Sequence, residues 1–492
     1  MQINILIFIR IYNFDLILNN NFRKESNLVK SPIILIYFPI NYKIIFLITT
    51  EMRAERIMIN HSTSLSNIAV VGLGKIGLTL AAVFANKAYN VVGADINKDV
   101  VSSVNQGISH INNEPGLDQL VLDAHKNKTL SATTVTSEAV AKSGIIVVIV
   151  PVLIDEKNNT DYKLIDLAVE EIGKGLNRGS LVVFETTLPP GDTKNRFGKK
   201  IEEVSGLRIG RDFHLAYSPE RVYSNRIIQD LQSYPKVVGG INKKSLELAA
   251  NFYKNALGCE LIEVSSLETA EFSKVAECVY RDVNIALANE LATFGEEKGI
   301  DMAEVIRASN SQPYSNLHSP GIGVGGHCIP IYPYFFINKG MDQGLTSLSR
   351  QINDSMANHA ISKMEIGIEP SSLENKNILI LGLSYRENVK ETTKSTTLLL
   401  IEQLKSKKAN VFVNDPLYTN DEIKAFGVNP LSLDDPFVSE IEGIILQAFH
   451  QEYSRIDFSR FIKCELVLDG RNKLNKNEIS KLGMKYEGIG RN

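Results

Sequence analysis

The run Gly72-Leu73-Gly74-Lys75-Ile76-Gly77 restricts what this chain can fold into more than any other stretch. Four apolar residues, Ile68-Ala69-Val70-Val71, precede it, a helix-compatible stretch follows to about Ala88, and a second apolar run ends in Asp95. Strand, glycine turn, helix and strand in this order, with an acid roughly 20 residues past the turn, describe a dinucleotide-binding βαβ unit. Gly72 permits the tight turn, Gly74 the approach of a pyrophosphate, and Gly77 the packing of helix on strand. The helix N-terminus then faces the phosphates with its partial positive charge. Asp95 would accept hydrogen bonds from the adenosine ribose and repel a 2′-phosphate, so NAD rather than NADP is the expected cofactor.

Apolar runs at 144–150 and 180–185, with a helical stretch between them, extend the same parallel sheet, and 235–240 adds one more strand. Glu185-Thr186-Thr187 ends its strand at the carboxyl edge, where open α/β sheets bind ligands. In Ser218-Pro219-Glu220-Arg221-Val222 an acid sits beside a base: Glu220 is either a catalytic carboxylate or a surface acid paired with Arg221.

A chain of 492 residues is too long for one core of ordinary size. From Asn375 the opening pattern restarts: a strand at 377–381, the turn Gly382-Leu383-Ser384-Tyr385-Arg386, a helix through Leu404, and a strand leading into Asn414-Asp415-Pro416. This predicts a second Rossmann-like unit, and because its turn lacks the G-x-G-x-x-G spacing it should hold a different ligand. Strands at 443–446 and 465–468 continue it. Between the two units, 266–299 reads as one long helix, with Lys274, Cys278 and Arg281 spaced by four and three on a single face. That stripe is either functional or a solvated or subunit-contact face. The expected fold is therefore α/β, two Rossmann-like doubly wound domains joined by a long central helix. The expected segments are a leader at 1–57, an NAD-binding domain at 58–262, a central helical domain at 263–370 and a C-terminal ligand domain at 371–492.

Gly325-Gly326-His327-Cys328-Ile329-Pro330 carries the candidate chemistry. Glycines allow a ligand's close approach, and a thiol beside a cationic or hydrogen-bonding neighbour becomes a strong nucleophile. The alternative is a buried structural cysteine in a turn. Four cysteines without C-x-x-C spacing point to a reducing, cytoplasmic compartment and no structural zinc, and a net charge of −3 gives no bulk reason to bind nucleic acid or an anionic membrane. Residues 1–57 have a composition of their own, rich in Ile, Asn, Phe and Tyr. They are read as a disordered leader, as translation upstream of a start at Met52 or Met58, or, through the apolar run 32–50, as an anchor.

From Ile68 onward the chain resembles the UDP-glucose/GDP-mannose dehydrogenase family, and within it the UDP-N-acetylhexosamine branch. The matching residues are Gly72–Gly77 with Asp95, Glu114-Pro115-Gly116-Leu117, 185–191, 218–222, 280–290, 323–330 and Asn414-Asp415-Pro416. The resemblance implies a homodimer, formed through the central helix, that oxidises the C6 hydroxyl of a UDP-sugar twice with two NAD, by way of a thiohemiacetal and a thioester on Cys328. UDP-N-acetylmannosamine and UDP-N-acetylglucosamine are the expected substrates. It further implies Lys274 as oxyanion stabiliser, Glu220 as base for the hydrolytic water, and Lys75, Ile76 and Thr187 near NAD. Arg221, Val222, Arg281, Gly325, Tyr385, Arg386 and Arg471 match positions that contact the nucleotide sugar, the arginines suiting bidentate recognition of diphosphate.

The chain departs from the family pattern at four places. Tyr332 replaces an aspartate, Cys278 an asparagine, Val152 a threonine near NAD and Thr393 an arginine near NAD. The lost aspartate prompts the expectation that Tyr332, its phenol lowered by Lys274, joins the first proton transfer. Cys278 prompts a second expectation, a reversible disulfide with Cys328. Both departures also allow a different reading, a protein that binds NAD and a nucleotide sugar without turnover.

Overall fold

A computed structural model describes residues 6–11, 14–19, 66–368, 370 and 372–491. The chain falls into two units, Met1–Thr63 and Ser64–Asn492. In the first, Leu6–Ile11 and Phe14–Asn19 pair as an antiparallel hairpin. The apolar run 32–50 lies outside the described residues, and among the described residues no helix is long and apolar enough to cross a membrane.

In the second unit the short apolar runs become strands because each can be covered on both faces. Ile145–Val148 and Leu181–Phe184 are buried at every position, as expected inside a parallel sheet flanked by helices. The first sheet contains β1 (Asn67–Val71), β2 (Asn90–Ala94), β3 (Leu130–Thr133), β4 (Ile145–Val148), β5 (Leu181–Phe184), β6 (His214–Tyr217), β7 (Lys236–Gly240) and β8 (Leu261–Val264). Their spatial order is β8-β7-β6-β5-β4-β1-β2-β3. All neighbours are parallel except β6 and β7. β3 and β8 escaped the sequence reading because each is only four residues long, mostly exposed or half-exposed, and broken by a polar residue.

The second sheet contains β9 (Asn377–Leu381), β10 (Asn410–Asn414), β11 (Asn429–Pro430), β12 (Gly443–Leu446), β13 (Leu466–Asp469) and β14 (Lys485–Gly488), in the order β11-β10-β9-β12-β13-β14. Every pairing in it is parallel. Both sheets thus reverse direction of winding at their first strand, and each glycine turn leaves the carboxyl end of that strand at the switch point. The turns are braced alike. The Gly72 N–H donates to Ala94 O and that of Leu73 to Asp95 Oδ2, each at 2.8 Å. Gly382 and Leu383 repeat this to Asn414 O and Asp415 Oδ2, also at 2.8 Å.

Between the sheets runs α2 (Leu267–Lys298), 32 residues long, the first helix after the glycine turn being α1 (Lys75–Asn86). Ser266 caps α2 by accepting the Thr269 N–H, and Gly299 ends it at φ +67°, which only glycine takes at little cost. It lies along α3 (Leu345–Ile368) through a buried polar ladder. Arg350 meets Asp282 at 2.6 Å, Asn353 Nδ2 donates to Asp282 Oδ1 at 2.8 Å, and Asn289 Nδ2 donates to Asn353 Oδ1 at 2.9 Å. The ladder ends on the chain entering the cysteine loop, where the Gly321 N–H donates to Asn289 Oδ1 at 2.9 Å.

The glycine turn offers a direct test of packing. A Cβ on Gly77 would lie 1.9 Å from Gly72 O, whereas one on Gly74 would meet nothing within 4 Å. Gly77→Ala is expected to cost about 1–3 kcal/mol of stability in urea unfolding, as overpacking does. Gly74→Ala should stay within about 1 kcal/mol of the parent, as for a change at a helix N-cap, and instead weaken dinucleotide binding measured by calorimetry.

Candidate active site

Cys328 follows two glycines that have no room for a side chain. A Cβ on Gly325 would sit 2.6 Å from Tyr385 Cβ, and one on Gly326 would sit 2.9 Å from Tyr385 Cε2. The Gly326 N–H also donates to Thr393 O at 2.8 Å, so the loop is pressed against the turn of the second sheet. On its other side stands α2. The result is a cavity of about 1070 Å³ walled by Cys328 and His327, by Lys274 and Arg281 of α2, by Lys75 of the first glycine turn and by Arg386 of the second. Ile76, Arg221, Val222, Gly325 and Tyr385 line it as well.

Cys328 is partly exposed and free. Enclosure alone would push its pKa up, but the His327 imidazole beside it, with Lys274 and Arg281, holds the thiol below its ordinary value. His327 is pushed up to about 10 by the Cys328 sulfur and by Glu391, whose Oε1 lies 3.0 Å from its Nδ1. The bland alternative, a sealed structural cysteine, therefore describes Cys259 and Cys464, both buried, but not Cys328. Cys278 is also buried and free, and burial pushes its thiol up.

The first glycine turn has the features a dinucleotide needs. Open space lies over Gly74, α1 presents its N-terminus there, and Asp95 stands at the end of β2, only partly buried. Asp95 receives backbone N–H groups from Leu73 and Asn97, one on each oxygen, which leaves each carboxylate oxygen a further lone pair. Gly72, Gly74, Gly77 and Asp95 build this cradle without lining the main cavity, which Lys75 and Ile76 join to it.

Four further expected residues lie outside that lining. Thr187 is buried, and its hydroxyl bears on the Tyr332 phenol. Tyr332 corrects an expectation: its phenol is not lowered by Lys274 but pushed well up, because its hydroxyl is desolvated and the Cys328 sulfur stands beside it. Arg471 is held by Gln447, its Nε donating to Gln447 O and its Nη2 to Gln447 Oε1, each at 2.5 Å, and burial pushes its guanidinium down. Glu220 is not the surface acid paired with Arg221 that the sequence offered as one alternative. Its Oε1 accepts the N–H groups of Arg221 and Val222 at 2.6 and 3.1 Å, and Lys236 binds its Oε2 at 2.9 Å. Arg221 turns instead to Glu277 at 2.9 Å.

Lys236 is the centre of a buried bracket that the sequence did not signal. It also meets Glu185 at 2.6 Å, and Tyr253 donates to the other Glu185 oxygen at 2.6 Å. Burial pushes Glu185 up to about 7, while Lys236 and backbone N–H groups overcome burial to hold Glu220 below its ordinary value. Glu391 was likewise missed: nothing in spacing links it to His327, 64 residues away.

Three comparisons bear on this geometry. Family models of the UDP-glucose/GDP-mannose dehydrogenase family match its NAD binding domain over 66–257, its central domain over 268–355 and its UDP binding domain over 379–476. A UDP-N-acetyl-D-mannosamine dehydrogenase of Pyrococcus horikoshii is 31% identical over 432 residues, covering 86% of this chain and 99% of that protein. A solved UDP-D-ManNAc dehydrogenase from Pyrococcus horikoshii superposes with a TM-score of 0.77 at 30% identity, covering 86% of this chain and 99% of that one. An NDP-N-acetyl-D-galactosaminuronic acid dehydrogenase from Methanosarcina mazei does so at 0.77 and 26% identity, covering 89% and 97%.

The bracket around Lys236 yields a stability prediction. Lys236→Met leaves two buried carboxylates facing each other without a cation, and removal of one partner from such a buried group costs about 3–5 kcal/mol. Urea unfolding at neutral pH should show a loss of that size, and a change below about 1 kcal/mol, the worth of a surface pair, would contradict the bracket.

Proposed function

The chain belongs to the UDP-glucose/GDP-mannose dehydrogenase family of NAD-dependent UDP-sugar oxidoreductases, and from that premise we propose that it oxidises the C6 hydroxyl of a UDP-N-acetylhexosamine to the uronate in two steps. The observation that carries this reading is the shared cavity: the thiol of Cys328, the Lys274 and Arg281 cations, the edge of the dinucleotide turn and the second sheet's Tyr385 and Arg386 all face one space. NAD supplies the hydride acceptor for both steps. The names of the relatives favour N-acetylmannosamine as the sugar, and N-acetylglucosamine is the other substrate that the sequence resemblance implies.

In this scheme Gly72, Gly74, Gly77, Asp95, Lys75, Ile76 and Thr187 place the dinucleotide. Arg221, Val222, Arg281, Gly325, Tyr385, Arg386 and Arg471 place the nucleotide sugar, the arginines by charge-assisted bonds to diphosphate. Lys274 holds a fixed positive charge against the oxyanion that develops at C6. Cys328 attacks the aldehyde and carries the acyl group as a thioester. Glu220, kept ionised by Lys236, is the base for the hydrolytic water. Tyr332 retains its proton and serves as a donor, not a base. A homodimer in the cytoplasm completes the reading, its contact the apolar stripe of Phe272, Tyr280, Leu287 and Phe294, each at least 40% exposed along α2.

NADH formation by the purified chain with UDP-N-acetylmannosamine and UDP-N-acetylglucosamine tests the proposal. Two NADH per sugar are expected, and Cys328→Ser should abolish the second. One NADH per sugar with activity surviving Cys328→Ser, or binding of both ligands without reduction, would overturn it. Tyr332→Phe removes a neutral donor worth about 0.5–1.5 kcal/mol, so it should slow either oxidation by no more than about tenfold in single-turnover assays.

A further inference from the structure

The groups that bear on the Cys328 sulfur divide by whether they can take a proton from it. Lys274 and Arg281, on the facing side of α2, are cations with no lone pair to offer. Cys278 of the same helix, Tyr332 beyond the loop and Tyr385 from the second sheet's turn are pushed up by burial and keep their own protons. His327 is the remaining group, and it shares the cavity wall with the sulfur.

Its orientation is fixed from the other sheet. Glu391 places Oε1 3.0 Å from His327 Nδ1, and the carboxylate is held below its ordinary value by His327, with Lys75 facing it, against the effect of burial. An ionised carboxylate accepts only, so Nδ1 carries the hydrogen that faces Glu391, and Nε2 is the nitrogen left to receive and hold the thiol proton. Glu391 is itself anchored: its carbonyl accepts the Tyr385 N–H at 2.9 Å, and two residues on Thr393 O accepts the Gly326 N–H at 2.8 Å. The first of these bonds closes the turn bearing Glu391 on itself, and the second ties it to the loop bearing His327.

We propose that His327 is a further catalytic residue, the acceptor of the Cys328 thiol proton, and that Glu391 is the residue that positions it. The inference rests on the dehydrogenase reading given above. Before addition the S–H bond breaks and its proton passes to His327 Nε2, which leaves a thiolate beside an imidazolium; in the addition step the sulfur electron pair forms the bond to the C6 aldehyde carbon. The carbonyl π pair moves to oxygen, which takes the proton back from the imidazolium to give the thiohemiacetal. Nothing is oxidised or reduced in this step.

Alkylation of Cys328 by iodoacetamide in the full chain, followed by mass spectrometry between pH 5 and 10, tests the assignment without any sugar turnover. In the parent protein the rate should reach half its plateau at least one pH unit below the free-thiol value of about 8.5. His327→Asn should move that midpoint up by a unit or more, slowing alkylation at pH 6.5 at least tenfold. Glu391→Gln should shift it part of the way, and Glu391→Asp should restore it. A superposable His327→Asn profile would overturn the proton acceptor, and an unchanged Glu391→Gln profile would overturn the positioning role. Thermal melts and NAD binding identify any variant that fails to fold, in which case His327→Gln and Glu391→Asp read the same midpoint. Failure of the sugar assay with this shift intact would count against the substrate reading alone.

Discussion

The ladder from Arg350 through Asp282, Asn353 and Asn289 to the Gly321 backbone is the constraint on which the site's geometry depends. An arginine and an aspartate out of water are costly unless the pair is close, and this pair closes at 2.6 Å while Asp282 Oδ2 and Arg350 Nε are left without a partner. That requirement fixes where α2 and α3 can sit relative to each other, since a slip of either helix would strand the charge. Lys274 and Arg281 lie on the same α2, N-terminal to Asn289, and Cys328 lies seven residues beyond Gly321. One set of buried bonds thus sets the cations and the thiol in register, a kind of specificity that apolar packing along a 32-residue helix would supply less sharply.

The two sheets share a winding order and the bracing of their first turns, yet they cannot share a ligand. In the first, the carboxylate of Asp95 stands at the sheet edge with lone pairs to spare. In the second, its counterpart Asp415 is buried, with Ser384 donating to Oδ2 from both its N–H and its hydroxyl and with His450 Nε2 at 3.0 Å from the same oxygen. His450 in turn accepts the Asn388 N–H at 3.0 Å through Nδ1. The carboxylate that stands open at the sheet edge in one half is spent in the other on holding the segment that carries Tyr385, Arg386 and Glu391.

That difference also marks what the residues disclosed in advance. The first glycine turn, Asp95, the long helix from its Ser266 cap to its Gly299 stop, and the restart at Asn377 were legible because each rests on local chemistry: a left-handed φ, a cap, a run of apolar residues. The face carrying Lys274, Cys278 and Arg281 was legible from helical spacing. Edge strands such as Leu261–Val264 were not, since half-exposed positions blur the alternation. Nor were the Lys236 bracket and the His327–Glu391 pair, which join residues across strands and sheets and leave no local trace. Tyr332 shows the hazard of reasoning from a neighbouring charge alone: Lys274 is near the site, but desolvation of the phenol outweighs it.

The thiol is active only as an anion, and an anion in an enclosed space is stabilised only by charge that cannot drift away. Lys274 and Arg281 supply fixed charge from a helix clamped to α3. The imidazole beside Cys328 gains its orientation from Glu391, which belongs to the second sheet. The dinucleotide turn belongs to the first. No single sheet with its helices holds all of these, so on the proposed reading the Cys328 thiol reaches its anionic form only when both sheets and the helix between them are docked. Folding of the whole second unit and activation of the sulfur are in this sense the same event: whatever loosens the contact of Gly325 and Gly326 with Tyr385 also withdraws Glu391 from His327, and with it the charge that lowers the thiol.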